Sequence, residues 1–286
     1  MQDFAAWVRQ QKEHHMSERI AFIGGGNMAS AIIGGLIKRG LPAGQIEVIE
    51  PFPEAQQALQ DKFGITAHAQ AGDFLAGVSM VVWAVKPQTF KEAAAPVRVH
   101  TPSALHLSVA AGIPSDSIAR WLGTDRVVRS MPNTPALIGM GITGLFPRPG
   151  VTSDDRRRVE EVAATMGEFL WVEREAQIDT VTALSGSGPA YVFYFLEAMT
   201  DAGAGMGLTR EQAYKLAVET FRGASALAHA STEPPEILRQ RVTSKGGTTH
   251  AAITSLEDHQ VKPLFVQAMQ AAQQRARELG EEFGRD

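Results

Sequence analysis

Short apolar runs alternate with segments of helical period through the first half of the chain, and then the runs stop. Arg19–Ile23, Gln45–Ile49, Met80–Val85, Leu105–Val109, Arg126–Arg129, Gly141–Phe146 and Phe169–Val172 read as strands. Met80–Val85 is apolar at nearly every position, as in a parallel strand covered on both faces. Ser30–Arg39 carries a helical pattern that Gly40 stops. A second helix is expected over Ser153–Met166, with Ser153 as its N-cap and Asp154 and Asp155 in the favourable first turn. Strands alternating with helices predict an α/β, doubly wound sheet.

From Glu173 onward only helical patterns remain. Helices are expected over Ile178–Leu184, Ala190–Ala202, Thr209–Ala230 with Thr209 as N-cap, Pro235–Val242, Ala251–Leu256 and Lys262–Phe283. Ala190–Ala202 is apolar nearly all round, through Tyr191, Val192, Phe193, Tyr194, Phe195, Leu196 and Met199. A helix with no polar face needs burial on all sides, so a second chain is expected to cover it. The expected divisions are a flexible N-terminal extension (1–17), an α/β domain of Rossmann type (18–173) and an all-helical domain (174–286).

Composition narrows the classes. The 286 residues are 44% hydrophobic and 20% charged, with a net charge of −4, an ordinary globular balance. That charge argues against a nucleic-acid or anionic-membrane binder, which needs a basic footprint. There is no cysteine, which excludes disulfides, thiolate zinc sites and cysteine nucleophiles and fits a cytoplasmic protein. No apolar run approaches the ~20 residues of a membrane helix. Residues 1–15 lack a secretory apolar core and read as a frayed extension in which His14 and His15 are inert. No metal site is expected.

Candidate chemistry lies at two places. After the first strand comes Gly24-Gly25-Gly26-Asn27-Met28-Ala29, then a helix, a second strand, and Glu50 at its end. That order fits a dinucleotide fingerprint. Gly24 permits the tight turn, Gly26 lets backbone approach a pyrophosphate, and Ala29 is small enough for helix–strand packing. Glu50 is expected to bond the ribose 2′-hydroxyl of NAD and repel the 2′-phosphate of NADP; Pro51-Phe52-Pro53 offers no cation. Val85-Lys86-Pro87, Ala110 and Asn133 follow later strands, where α/β sheets bind ligands. Lys86 either bonds a cofactor ribose or phosphate or is an ordinary surface lysine.

The second place is Ser244-Lys245-Gly246-Gly247-Thr248-Thr249-His250. Two adjacent glycines would cost a helix interior roughly 1 kcal/mol each. They are better explained as a loop whose backbone must approach something. Hydroxyls, amides and a following helix together make an anion cradle.

These motifs together resemble pyrroline-5-carboxylate reductase over roughly Arg19 to Gly280. The resemblance rests on Phe22-Ile23-Gly24-Gly25-Gly26-Asn27-Met28-Ala29, Ala84-Val85-Lys86-Pro87, Ser108-Val109-Ala110-Ala111-Gly112, Met131-Pro132-Asn133-Thr134-Pro135, Leu184-Ser185-Gly186-Ser187-Gly188-Pro189-Ala190-Tyr191 and Ser244–Thr249. The last two strings set that family apart from other Rossmann dehydrogenases. The resemblance implies NAD(P)H-dependent reduction of 1-pyrroline-5-carboxylate to proline. It implies a helical domain that interlocks with a partner into a homodimer, with dimers often ringed into a decamer. It places the substrate carboxylate and ring on Ser244, Gly247, Thr248 and Thr249, and the cofactor on Gly26, Asn27, Met28, Val85, Lys86 and Pro87. Thr249 is the expected catalytic side chain, at the ring nitrogen. Lys245 and His250 depart from the family, which usually has proline and an aliphatic residue there. Lys245 is expected to keep its ammonium in water. The usual family preference for NADPH conflicts with Glu50. Two rivals are a 3-hydroxyacid dehydrogenase, which would need a catalytic lysine in a Gly-x-x-x-Asn-Lys-like setting that is absent, and a nucleotide-sensing regulator, which needs no second anion site.

Overall fold

The computed structural model of the chain describes residues 19–285. The expected extension over 1–17, with His14 and His15, lies outside the described residues.

The first strand, β1 (Ile20–Ile23), runs into the glycine turn, and α1 (Asn27–Lys38) begins directly after Gly26, three residues earlier than its apolar pattern suggested. Gly24 makes that turn possible. Its φ is +94°, and a Cβ there would lie 2.5 Å from the carbonyl oxygen of Ala84, so no other residue fits. Next come β2 (Ile46–Ile49), α2 (Pro53–Phe63), β3 (Met80–Trp83), α3 (Pro87–Arg98), β4 (Leu105–Ser108), α4 (Ser115–Leu122) and β5 (Val127–Met131). Strands β6 (Gly141–Pro147) and β7 (Gly167–Trp171) flank α5 (Ser153–Ala163).

All seven strands form one sheet in the order β2-β1-β3-β4-β5-β6-β7. Pairing is parallel except between β5 and β6. Alternate residues of β1 and β3 feed opposite cores, as a two-period side-chain pattern requires. Phe22 and Val82 pack on one face with Ile32, Ile33 and Val159. Ala21, Ile23, Val81 and Trp83 pack on the other with Phe90, Ile118 and Trp121. This two-sided burial is why β1 and β3 read as continuous apolar runs. The N-cap of α5 is Thr152 rather than the expected Ser153. Thr152 Oγ1 accepts from the Asp155 N–H and Asp155 Oδ2 from the Thr152 N–H, both at 3.1 Å. Reciprocal satisfaction of two donors outweighs a single serine hydroxyl.

Beyond the sheet every described element is helical. The expected helix Ile178–Leu184 is split. An α-helix, α6 (Ala176–Val181), gives way to a π-helical turn over Thr182–Gly186. There follow α7 (Gly188–Gly205), α8 (Arg210–Ala230), α9 (Pro235–Arg241), α10 (Thr248–Asp258) and α11 (Val261–Phe283). Thr209 caps α8 as expected, in a capping box with Gln212.

Contacts divide the chain into two compact units, one ending at Gly186 but taking in the residues from Gln273 onward, the other spanning Ser187–Ala272. In the first unit the end of α11 returns to the sheet domain. Leu279 and Phe283 lie against Gly112, and the Gly284 carbonyl accepts from Ser117 Oγ at 2.9 Å. In the second unit Phe265 of α11 meets Tyr191 and Phe195 of α7 edge-on, with ring centroids 5.7 and 5.6 Å apart. One chain alone does not bury α7 on all sides. Only Leu196, Thr200 and Gly203 are buried, while Phe193 and Tyr194 are 58% and 69% exposed.

Candidate active site

In the first unit, a cavity of about 660 Å³ opens at the carboxyl ends of β1, β2 and β3. Gly24, Gly26, Glu50, Val85 and Lys86 all line it, so the sheet gathers five residues from three segments that lie far apart in sequence. The volume is in the range of ligand sites. Gly26 has open space where a Cβ would sit, and it is the N-cap of α1 with no side chain accepting from the first-turn amides. Those amides and the helix dipole suit a pyrophosphate. Asn27 and Met28 are the first residues of α1, and Pro87 is the first of α3. Ala110 is buried just past β4.

Asn133 has a different setting. Its Nδ2 donates to the Ser185 carbonyl at 3.1 Å and its Oδ1 accepts from the Ile142 N–H at 3.0 Å. The side chain thus ties the loop after β5 to β6 and to the π-helical turn.

Glu50 does not face open water. It is 6% exposed although it lines the cavity. Its Oε2 accepts from the Gly25 N–H at 2.8 Å and its Oε1 from the Phe52 N–H at 3.0 Å.

The second cluster belongs to the helical unit. Ser244, Gly247, Thr248 and Thr249 stand together at the start of α10, which begins at Thr248, three residues before its apolar pattern. Gly246 turns the chain with φ +75°, and Gly247 is the N-cap in an extended conformation. A Cβ on Gly247 would come within 2.9 Å of Ser244 Oγ, so the glycine brings that hydroxyl close to the helix start. No side chain caps α10, and its first-turn amides have no partner within the helix. Lys245 and His250 are exposed.

Sequence reasoning missed some of the cavity wall. Phe52, Gln70 and Thr89 also line it. Phe52 was legible only as a residue between two prolines. Gln70 enters through an irregular segment that has no periodic signal. Also missed was Arg129, buried on β5, which pairs with Glu175 at 3.1 Å and Asp179 at 3.3 Å. Among the described residues no group of three or more His, Asp or Glu side chains is placed to hold a metal ion. No helix among them is long and apolar enough to cross a membrane.

A parallel sheet with a glycine turn opening into a ligand-sized cavity, followed by a helical unit, defines a dinucleotide-type oxidoreductase built in two parts. Residues 175–279 match the family model described as pyrroline-5-carboxylate reductase dimerisation, and residues 19–112 match one described as NADP oxidoreductase, coenzyme F420-dependent. A pyrroline-5-carboxylate reductase of Pseudomonas aeruginosa is 45% identical over 270 residues, covering 93% of this chain and 98% of the relative. The structure of the Coxiella burnetii pyrroline-5-carboxylate reductase aligns with a TM-score of 0.86 at 38% identity, over 92% of this chain and 98% of that one. The Plasmodium falciparum pyrroline carboxylate reductase, solved with NADP bound, aligns with a TM-score of 0.82 at 26% identity over the same shares. The chain belongs to the pyrroline-5-carboxylate reductase family, and it is an enzyme, an oxidoreductase.

Proposed function

We propose that this chain reduces 1-pyrroline-5-carboxylate to L-proline with NAD(P)H, the last step of proline synthesis, through the two clusters described above. The observation that carries the assignment of residues is the start of α10. Uncapped amides lie there beside three hydroxyl-bearing residues, Ser244, Thr248 and Thr249, which suits a carboxylate-bearing ring.

When bound, the reduced nicotinamide supplies a hydride to the imine carbon. The glycine turn and the first amides of α1, at Asn27 and Met28, would hold the pyrophosphate, and Glu50, Val85, Lys86, Pro87, Ala110 and Asn133 would complete the cofactor site. Ser244, Gly247 and Thr248 hold the substrate carboxylate. Thr249 Oγ1 meets the ring nitrogen. A protonated imine accepts hydride better than a neutral one, and such a nitrogen can carry its own proton near neutral pH. A dedicated strong acid among the residues is then not obligatory. Their contribution is orientation, which can supply several kcal/mol of barrier reduction.

The dimerisation model over residues 175–279 supports an oligomer. We extend this to a homodimer in which the open face of α7 is covered, with dimers assembled into a decamer, as the family resemblance implies. The acidic, cysteine-free composition and the biosynthetic relatives support a cytoplasmic location. The expected domain limits, 18–173 for the cofactor and 174–286 for substrate and dimer, are kept as functional divisions. The test is loss of NADH or NADPH absorbance at 340 nm on adding pyrroline-5-carboxylate, with proline identified as product. No consumption of either cofactor would refute the assignment.

A further inference from the structure

We propose that Asn133 is a positioning residue for hydride transfer: its side-chain amide supplies the hydrogen bond that Pro189 cannot, and so fixes the turn from which α7 departs. The proposal rests on the functional reading above and gives Asn133 its task within it, acting through the turn rather than on the cofactor atoms.

In an α-helix the carbonyl of residue i accepts from the N–H of residue i+4. For Ser185 that residue is Pro189, which stands in the first turn of α7 and has no N–H. The Ser185 carbonyl is left without its regular donor. Asn133 Nδ2 takes that place at 3.1 Å, from a position 52 residues away. Its side chain is not spent on its own turn. Asn133 is the N-cap of the short 3₁₀ turn Thr134–Ile138, where asparagine commonly bonds the first amides, yet no side-chain cap bond is made there. Its Oδ1 accepts instead from the Ile142 N–H at 3.0 Å. With the oxygen fixed on a donor, the nitrogen of the same buried amide is turned to Ser185.

The turn is shaped to meet it. Thr182 Oγ1 donates to the Ile178 carbonyl at 2.8 Å and Ser185 Oγ to the Val181 carbonyl at 3.0 Å, bonds of a kind that bends helices. A Cβ on Gly186 would lie 2.6 Å from Met131 Cε, so the glycine admits the methionine. The strings Met131–Pro135 and Leu184–Tyr191, separate in sequence, thus form one joint. A π-helical turn of this kind is frequent at functional sites. Gly186 ends the first compact unit and Ser187 opens the second. The cofactor cluster belongs to the first unit and the Ser244–Thr249 cluster to the second, so Asn133 acts where the chain crosses from one to the other. Hydride transfer needs reacting atoms about 3–3.5 Å apart, and misplacement by about 1 Å can cost roughly a hundredfold in rate.

The experiment uses the full-length oligomer and two variants. Asn133→Asp keeps the acceptor for Ile142 and removes the donor to Ser185. Pro189→Ala keeps Asn133 and offers the Ser185 carbonyl a helical N–H in competition with it. In both, kcat for pyrroline-5-carboxylate is expected to fall at least about tenfold. The primary isotope effect with reductant deuterated at nicotinamide C4 should rise as hydride transfer becomes limiting, while cofactor affinity, measured by titration, stays within about twofold. Pro189→Ala should hold its Tm, because alanine is the better helix former, so its lost turnover is not lost fold. Without any ligand, hydrogen exchange of the amides over 182–188 should quicken in Asn133→Asp. Wild-type kcat and isotope effect in Pro189→Ala, or unchanged exchange in Asn133→Asp, would overturn the proposal. So would weaker cofactor binding with kcat retained in Asn133→Asp, which would set Asn133 against the cofactor itself. A wild-type enzyme inert toward pyrroline-5-carboxylate would overturn the functional reading and this role with it, while the exchange result would still report the Asn133–Ser185 bond.

Discussion

The indole N–H of Trp83 on β3 donates to Nδ1 of His106 on the neighbouring β4, at 3.1 Å, and both residues are buried. An acceptor at Nδ1 requires that nitrogen to be unprotonated. Burial pushes the His106 pKa from 6.5 down to about 4, with help from the positive charge of Arg126. The folded pKa lies below the unfolded one, so the stabilisation is full above about pH 6.5 and is lost as pH falls toward 4. This residue alone should lower unfolding free energy by about 2 kcal/mol between pH 7 and pH 5. Urea titrations at the two pH values test it. His106→Gln should flatten that part of the slope, and an unchanged slope in the variant would count against the assignment.

Removing the hydroxyl of Thr249 should impair turnover and spare the cofactor. A hydrogen bond to a charged or developing group is worth roughly 1.5–3 kcal/mol, so Thr249→Ala should lower kcat/KM for pyrroline-5-carboxylate by about tenfold to a hundredfold. NADH affinity, measured by titration, should hold. Unaltered steady-state constants would remove Thr249 from the substrate site.

Gly24→Ala should damage the cofactor site from inside. The added carbon meets a backbone oxygen at 2.5 Å, at a φ of +94°. Positive φ at a side-chain-bearing residue costs on the order of 1–2 kcal/mol before the clash is counted. We expect a lower Tm and at least about tenfold weaker dinucleotide binding. Wild-type values for both would show that the turn relaxes freely.

The open face of α7 should make the protein at least dimeric at micromolar concentration. Val192, Phe193, Tyr194 and Met199 are apolar and uncovered in one chain, and such patches mark interaction surfaces. Sedimentation velocity across a concentration series should show no folded species near 30.8 kDa. Phe193→Asp, which puts a charge on that face, should produce one. A stable wild-type monomer would refute the reading of α7.

How much was legible depended on how local the cause was. That Gly24, Gly26 and Glu50 share one cavity was readable, because a tight glycine turn and a strand-end carboxylate each leave a sequence mark. The start of α10 was missed by three residues because Thr248 and Thr249 are polar and carry no apolar period. Thr152 was passed over in favour of Ser153 because the deciding hydrogen bonds involve Asp155 together with backbone that only the folded turn aligns. The pairing of Arg129 with Glu175 and Asp179 spans 46 and 50 positions and has no local signature.

The sequence by itself determined the alternation of strands and helices, the glycine turn, the hydroxyl-rich segment before α10 and a helix too apolar for water. All of these follow from side-chain period and backbone permissiveness, which act within a few residues. Only the tertiary structure decided the antiparallel turn of β6 against β5, the return of α11 to Gly112, and the direction of the Glu50 carboxylate. Each of these is set by which distant amides and side chains meet once the sheet is closed. A carboxylate at a strand end can face water or turn inward. The amides of Gly25 and Phe52 turn it inward, and they come within reach of it only in the folded chain.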